Sequence, residues 1–138
     1  MKFKSFLIAV FMTICSVQSS AYTLSNYECI IHEMSDDSDI HDSIKKHYIN
    51  EKFYVDRISG RVNGILKNNY VNAPTVIDLG SSNNSYKAIG YLKIHEGVGV
   101  GSNLYALNIA EYKEGNNKPF TYMENSKVFR GLCKYLNK

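Results

Sequence analysis

The chain has 138 residues, 44% of them apolar, with 16 basic against 13 acidic side chains and a formal charge of +3. That balance gives no electrostatic case for a nucleic-acid partner, which needs a concentrated basic stripe. Three cysteines, eleven tyrosines and no tryptophan set the chemistry that is available.

Residues 1–21 read as an export signal. Lys2 and Lys4 form a positive start, Phe6 to Val17 is almost unbroken apolar sequence, and Ser19-Ser20-Ala21 offers the small residues a signal peptidase needs. An apolar run of about a dozen residues is shorter than the roughly twenty a bilayer span requires, so the mature protein is expected to carry no membrane span. Cys15 follows the bulky Ile14, which argues against lipidation at that cysteine. Removing the first 21 of 138 residues leaves 117, a single domain over residues 22–138. The leader holds two lysines and no acid, so the remaining 14 basic and 13 acidic side chains give +1. Periplasmic or secreted residence is the expectation.

Cys29 and Cys133 then remain, one near each end. In an oxidising compartment such a pair is expected to bridge, and a closed loop of roughly a hundred residues stabilises by about 4.7 kcal/mol in the chain-entropy model. Two free thiols or a redox pair are the alternatives, but the C-x-x-C spacing of redox work is absent.

Short β-branched and aromatic runs alternate with turn clusters along the rest of the chain. Tyr27, Cys29 and Ile31 share one face of a first strand, and Ile40 to Asn50 has helical character. Lys52 to Arg57 and Arg61 to Leu66 read as a hairpin about Ile58-Ser59-Gly60. Thr75 to Leu79 is closed by the turn formers Gly80 to Asn84. In Tyr86 to Ile94, Tyr86, Ala88, Leu92 and Ile94 lie on one face, with Lys87 and Lys93 on the other, which predicts one buried and one wet side. Asn103 to Tyr112 is apolar on both parities, which predicts a central strand covered on both faces. Phe120 to Met123 and Val128 to Leu136 complete the set. The fold class expected is all-β: a single small antiparallel β-barrel or sandwich of seven or eight strands, one short helix and one disulfide joining the first strand to the last.

Few features offer chemistry. Ser35 to Ser43 reads SDDSDIHDS, but it lacks the glycine and the final glutamate of a calcium-binding helix-loop-helix. A solvated acidic loop is the plainer reading, and Asp36, Asp37, Asp39 and Asp42 are candidates for steering a basic partner. His32, His41 and His47 have no zinc spacing, so no metal or cofactor is expected. Gly97-Val98-Gly99-Val100-Gly101 precedes a strand rather than a helix and reads as a loop, not a phosphate cradle. No G-x-S-x-G is present, and no cysteine remains as a nucleophile once the bridge forms, so no catalytic residue is assigned. Tyrosine suits contact surfaces as well as the half-exposed faces of small β-domains.

The segments FYVDRISGRVNG (Phe53 to Gly64), VIDLGSSNNSYKAI (Val76 to Ile89), KPF (Lys118 to Phe120) and VFRGLCKY (Val128 to Tyr135) together resemble small exported proteins of Gram-negative bacteria. Those proteins carry an aromatic-x-x-D-R-x-x-G turn, a D-x-G-S-x-x-N-S-aromatic-K strand and a terminal G-x-C. The resemblance implies periplasmic or secreted residence and a compact β-fold, and transfers no activity. Asp56 and Arg57 fit hairpin residues better than an active-site pair. The function expected is a non-enzymatic binding module for another exported protein, of inhibitor or immunity type. The alternative is a periplasmic binder of a small ligand or envelope component in a barrel cavity.

Overall fold

Eight antiparallel strands form one sheet in the computed structural model, which describes residues 26–37, 42–68, 72–96 and 101–136. They are β1 (Tyr27–Ser35), β2 (Lys52–Val55), β3 (Val62–Gly64), β4 (Thr75–Ser81), β5 (Asn84–Leu92), β6 (Asn103–Ile109), β7 (Lys118–Glu124) and β8 (Lys127–Tyr135). Among the described residues one helix, α1 (Asp42–Tyr48), lies between β1 and β2. The order across the sheet is β3-β2-β1-β8-β7-β6-β5-β4, so β4 to β8 form an up-and-down meander and β8 returns beside β1. The sheet curls into a half-barrel with β3 and β4 as its edges, and the alternative of two stacked sheets falls away.

Strand alternation sends one parity of residues inward, where Tyr27, Cys29, Phe53, Tyr86, Tyr105, Tyr122 and Phe129 are almost fully buried. Rings fill this interior. Phe53 meets Phe120 edge-on with centroids 5.0 Å apart, and Tyr48 at the end of α1 packs on Phe129 at 5.1 Å. Such pairs add about 0.5–1.5 kcal/mol each beyond their buried area. The connection after β3 tucks into the same interior. Leu66 is buried in the core, and the Tyr122 hydroxyl donates to Lys67 O at 3.0 Å. Buried Asn68 accepts from Val62 N (2.8 Å) and donates to Gly60 O (2.9 Å), so its polar atoms are paired on both sides.

The Cys29–Cys133 disulfide is present, and the two residues are direct register partners between β1 and β8. It does not strap the two sheet edges together, because β1 docks against β8 in the middle of the sheet and leaves the edges to β3 and β4. Two residues earlier, Gly131 pairs with Ile31 just where the register slips by one residue. A Cβ there would collide with Ile30 O and lie 2.9 Å from the Phe120 ring, so the glycine is required by space.

Several expected boundaries shift. β1 runs on to Ser35, and the helical turn is shorter than Ile40 to Asn50. β5 stops at Leu92, because Glu96 folds back to accept from Lys93 N at 2.9 Å and His95 adopts φ 65°, leaving Ile94 exposed in the turn. The expected leader 1–21, Cys15, Asp39, His41 and residues 97–100 lie outside the described residues.

Candidate functional site

The outer face of the half-barrel carries an apolar surface that the single-layer sheet leaves uncovered. Ile89, Ala106, Met123 and Val128 are successive cross-strand partners on β5, β6, β7 and β8. Tyr91 pairs with Leu104 one step along the strands. Tyr91 is 50% exposed, Leu104 47% and Ile89 37%, and Ile77 of edge strand β4 is 59% exposed beside them. Ile77, Ile89, Ala106 and Met123 help to line a shallow hollow of about 320 Å³, and Tyr91 and Leu104 continue the apolar surface beyond it. Exposed apolar residues scattered singly need no explanation, whereas a contiguous patch marks a contact surface.

Two expectations are corrected here. The outward side of β5 does carry Lys87, with Lys93 just beyond the strand's end, but Ile89 and Tyr91 share that parity, so it is not a simply wet face. β6 was expected to be covered on both faces, yet only Tyr105, Leu107 and Ile109 are buried while Leu104 faces outward and exposed. A sandwich would have supplied the second cover. A one-layer half-barrel does not.

Polar groups frame the apolar rows. Lys87, Asn108, Thr121 and Arg130 form the next cross-strand row, and Arg130 pairs with Glu33 at 3.0 Å. At the far end, Leu104 is clasped by Asn125 of the β7–β8 turn, its N–H donating to Asn125 Oδ1 at 2.9 Å while Asn125 N donates to Leu104 O. The next residue, Ser126, donates its hydroxyl to Asp36 at 2.8 Å. Asp36 and the exposed Asp37 therefore stand at the end of the sheet where Leu104 and Tyr91 meet. Asp42 is set apart, opening α1, where its charge complements the helix dipole. The acidic run is thus divided between a strand end and a helix start. Among the described residues no group of three His, Cys, Asp or Glu side chains gathers as a metal site. His32 is exposed, and His47 packs edge-on against Tyr48 at 5.4 Å.

The opposite end of the half-barrel holds a buried polar network. Glu111, just beyond β6, accepts from the hydroxyls of Tyr27 and Tyr135 and pairs with Arg57 at 3.1 Å. Arg57 also donates through Nε (3.0 Å) and Nη2 (2.7 Å) to Leu79 O. Its guanidinium lies 5.3 Å from the Tyr27 ring centroid. The arginine after β2 thereby reaches the free edge β4 and ties one margin of the open sheet to the other. Gly80 makes room: at φ 73° it has no side chain, and a Cβ would sit 2.6 Å from Glu111 Cγ.

Burial together with the Glu111 carboxylate raises the Tyr27 hydroxyl well above the ordinary tyrosine range and lifts Tyr135 to about 12. Tyr86, buried with its hydroxyl unpaired among the described residues, is also pushed up to about 12, by desolvation first and the nearby Asp56 charge second. Asp56 itself caps the hairpin turn, accepting from Ile58 N (3.1 Å) and Ser59 N (2.8 Å), and these bonds hold its carboxyl below the usual range. Asp56 is thus the hairpin residue expected, while Arg57 is more than that. The chain gives no local signal for its pairing with Glu111, which arrives 54 residues later on another loop.

Comparison of the chain with protein-family models, with curated proteins and with solved structures finds no match.

Proposed function

We propose that the chain is an exported, non-enzymatic binding module that docks another exported protein through the outer face of β5, β6 and β7. The observation carrying this reading is β6, a strand apolar on both parities whose inner side is covered and whose outer side, with Leu104, Tyr91 and Ile89 beside it, is bare. Burying that surface supplies affinity, and the tyrosine provides a stiff anchor of large area. Asp36 and Asp37 at one end of the apolar rows and Lys87 on their flank fix the direction in which a partner lies, so the partner meets this face with an apolar centre and a basic patch opposite the aspartates. An inhibitor or immunity-type protein works this way, by occluding its target. The ring-filled interior favours the outer surface over the lumen as the place of contact.

The buried disulfide fits an oxidising compartment, and no helix among the described residues is long and apolar enough to cross a membrane. The test is recovery of a stoichiometric partner from envelope extracts with the protein lacking residues 1–21. The expected complex dissolves with Ile89→Asp or Tyr91→Asp, and its salt dependence flattens with Asp36→Asn plus Asp37→Asn. A complex indifferent to both sets, or burial of the same face in a homodimer, overturns the reading.

A further inference from the structure

The Arg57–Glu111 network forms the floor of a cleft of about 430 Å³, also lined by Ser81, Ser82, Tyr112, Lys113, Glu114, Lys118 and Tyr135. It lies at the end of the half-barrel built from the β4–β5 turn and the β6–β7 connection, away from the turns that border the apolar rows. We infer that this cleft binds a small organic anion, one carboxylate or phosphate group carried on an apolar body, through Lys118 and its neighbours.

Uncompensated charge and one spare donor point to an anion. Glu111 is fully engaged by Arg57 and the two tyrosine hydroxyls, so the pair contributes no net charge. Lys118 is different. Its residue is 8% exposed because β7 turns this side chain inward, with the parity of Phe120 and Tyr122. Among the described residues the ammonium is held by two backbone carbonyls, Glu111 O at 3.0 Å and Lys113 O. Neither acceptor carries a charge, and an ammonium has three donors, so one N–H and a whole positive charge remain for the cleft. Burying a charge without a countercharge is costly, which makes an anion the natural completion of the site.

The walls define the rest of the ligand. Ser82 is exposed at the rim, and Tyr112 and Tyr135 contribute apolar ring surface to the lining. Lys113 stands over the Tyr112 ring at 5.3 Å, and Glu114 in the same lining offsets its charge, so the one positive charge in excess is that of Lys118. The volume suits a ligand with a body rather than a bare ion, since small-molecule sites typically occupy roughly 300–1,000 Å³.

Titration of the protein lacking residues 1–21 with benzoate and with phenyl phosphate, followed by amide NMR shifts, tests the inference and separates the two anion sources. Saturable shifts confined to the cleft, at Ser81, Ser82, Tyr112 and Lys113, are expected for at least one of the two at millimolar concentration, with none for neutral benzyl alcohol. Lys118→Met is expected to weaken binding about tenfold, the worth of one charge-assisted hydrogen bond. Removing Lys118 also strips two carbonyls of their donor, so the exposed Ser82→Glu provides an independent variant: it places a carboxylate at the rim and is expected to abolish binding with the native spectrum intact. Shifts spread over all surface lysines, equal response to benzyl alcohol, or undiminished binding by Ser82→Glu overturn the assignment. None of these outcomes depends on the outer face, so the two proposals fail separately.

Discussion

The two ends of the sheet handle unfavourable groups in opposite ways. Around Glu111, polar groups are buried and almost every one has a partner, drawn from β1, β4, β8, the turn after β2 and the segment after β6. Across Ile89, Tyr91 and Leu104, apolar groups are exposed and nothing described covers them. Buried and paired charge reads as architecture, since its loss would unfold the chain. Apolar surface left bare reads as a surface with work to do beyond the molecule. Stability thus rests on the first region and partner contact on the second, and substitutions separate the two.

The largest effect is expected at the polar end. Glu111→Leu leaves the Arg57 guanidinium buried without its carboxylate and should cost about 3–5 kcal/mol in denaturant unfolding, while the double variant with Arg57→Met recovers part of that loss. Reduction of the Cys29–Cys133 bridge, or its replacement by two alanines, should cost about 2–5 kcal/mol, read as a lower thermal midpoint. Gly131→Ala must displace the β1 backbone at Ile30 as well as the Phe120 ring, at a cost of about 1–3 kcal/mol or more.

High pH probes the same end. Tyr86 and Tyr135 ionise near 12 in the fold against 10.0 for the free side chain, and Tyr27 is raised further. The folded chain therefore holds protons that the unfolded chain releases, so stability is intact below about pH 10 and falls as pH rises toward 12. Ultraviolet titration of tyrosinate should show a late-ionising group that moves to ordinary values on unfolding. The smallest effect belongs to the outer face. Ile89→Ser should change stability by no more than about 0.5 kcal/mol, as for an exposed position, while weakening partner capture. A large stability loss there would mark the face as part of the core and erase the contrast.

Much of the fold is legible in the sequence because strand alternation and turn residues are local signals. Tyr27, Cys29 and Ile31 share a parity that a reader can count, and the Cys29–Cys133 bridge follows from there being no other cysteine in residues 22–138. What escapes is anything set by pairing across the sheet. The neighbourhood of β1 and β8 at the sheet's centre decides that the edges fall to β3 and β4, and that the apolar second parity of β6 meets no second layer among the described residues. Arg57 and Glu111 come from separate turns that only the closed shape brings together. The clue to the outer face is Leu104 and Ala106 alternating with Tyr105 and Leu107, a pattern that demands two covers of which the described residues supply one.

The most direct measurement is photocrosslinking in the compartment where the protein resides, with a photoreactive residue placed at position 89 on the outer face or at position 58, exposed on the β2–β3 turn. A discrete adduct from position 89 and none from position 58, to a protein that rebinds the purified chain one to one, is the expected result. Equal labelling from both positions, or none from position 89, would contradict the claim that the bare apolar rows of β5, β6 and β7 are the binding surface.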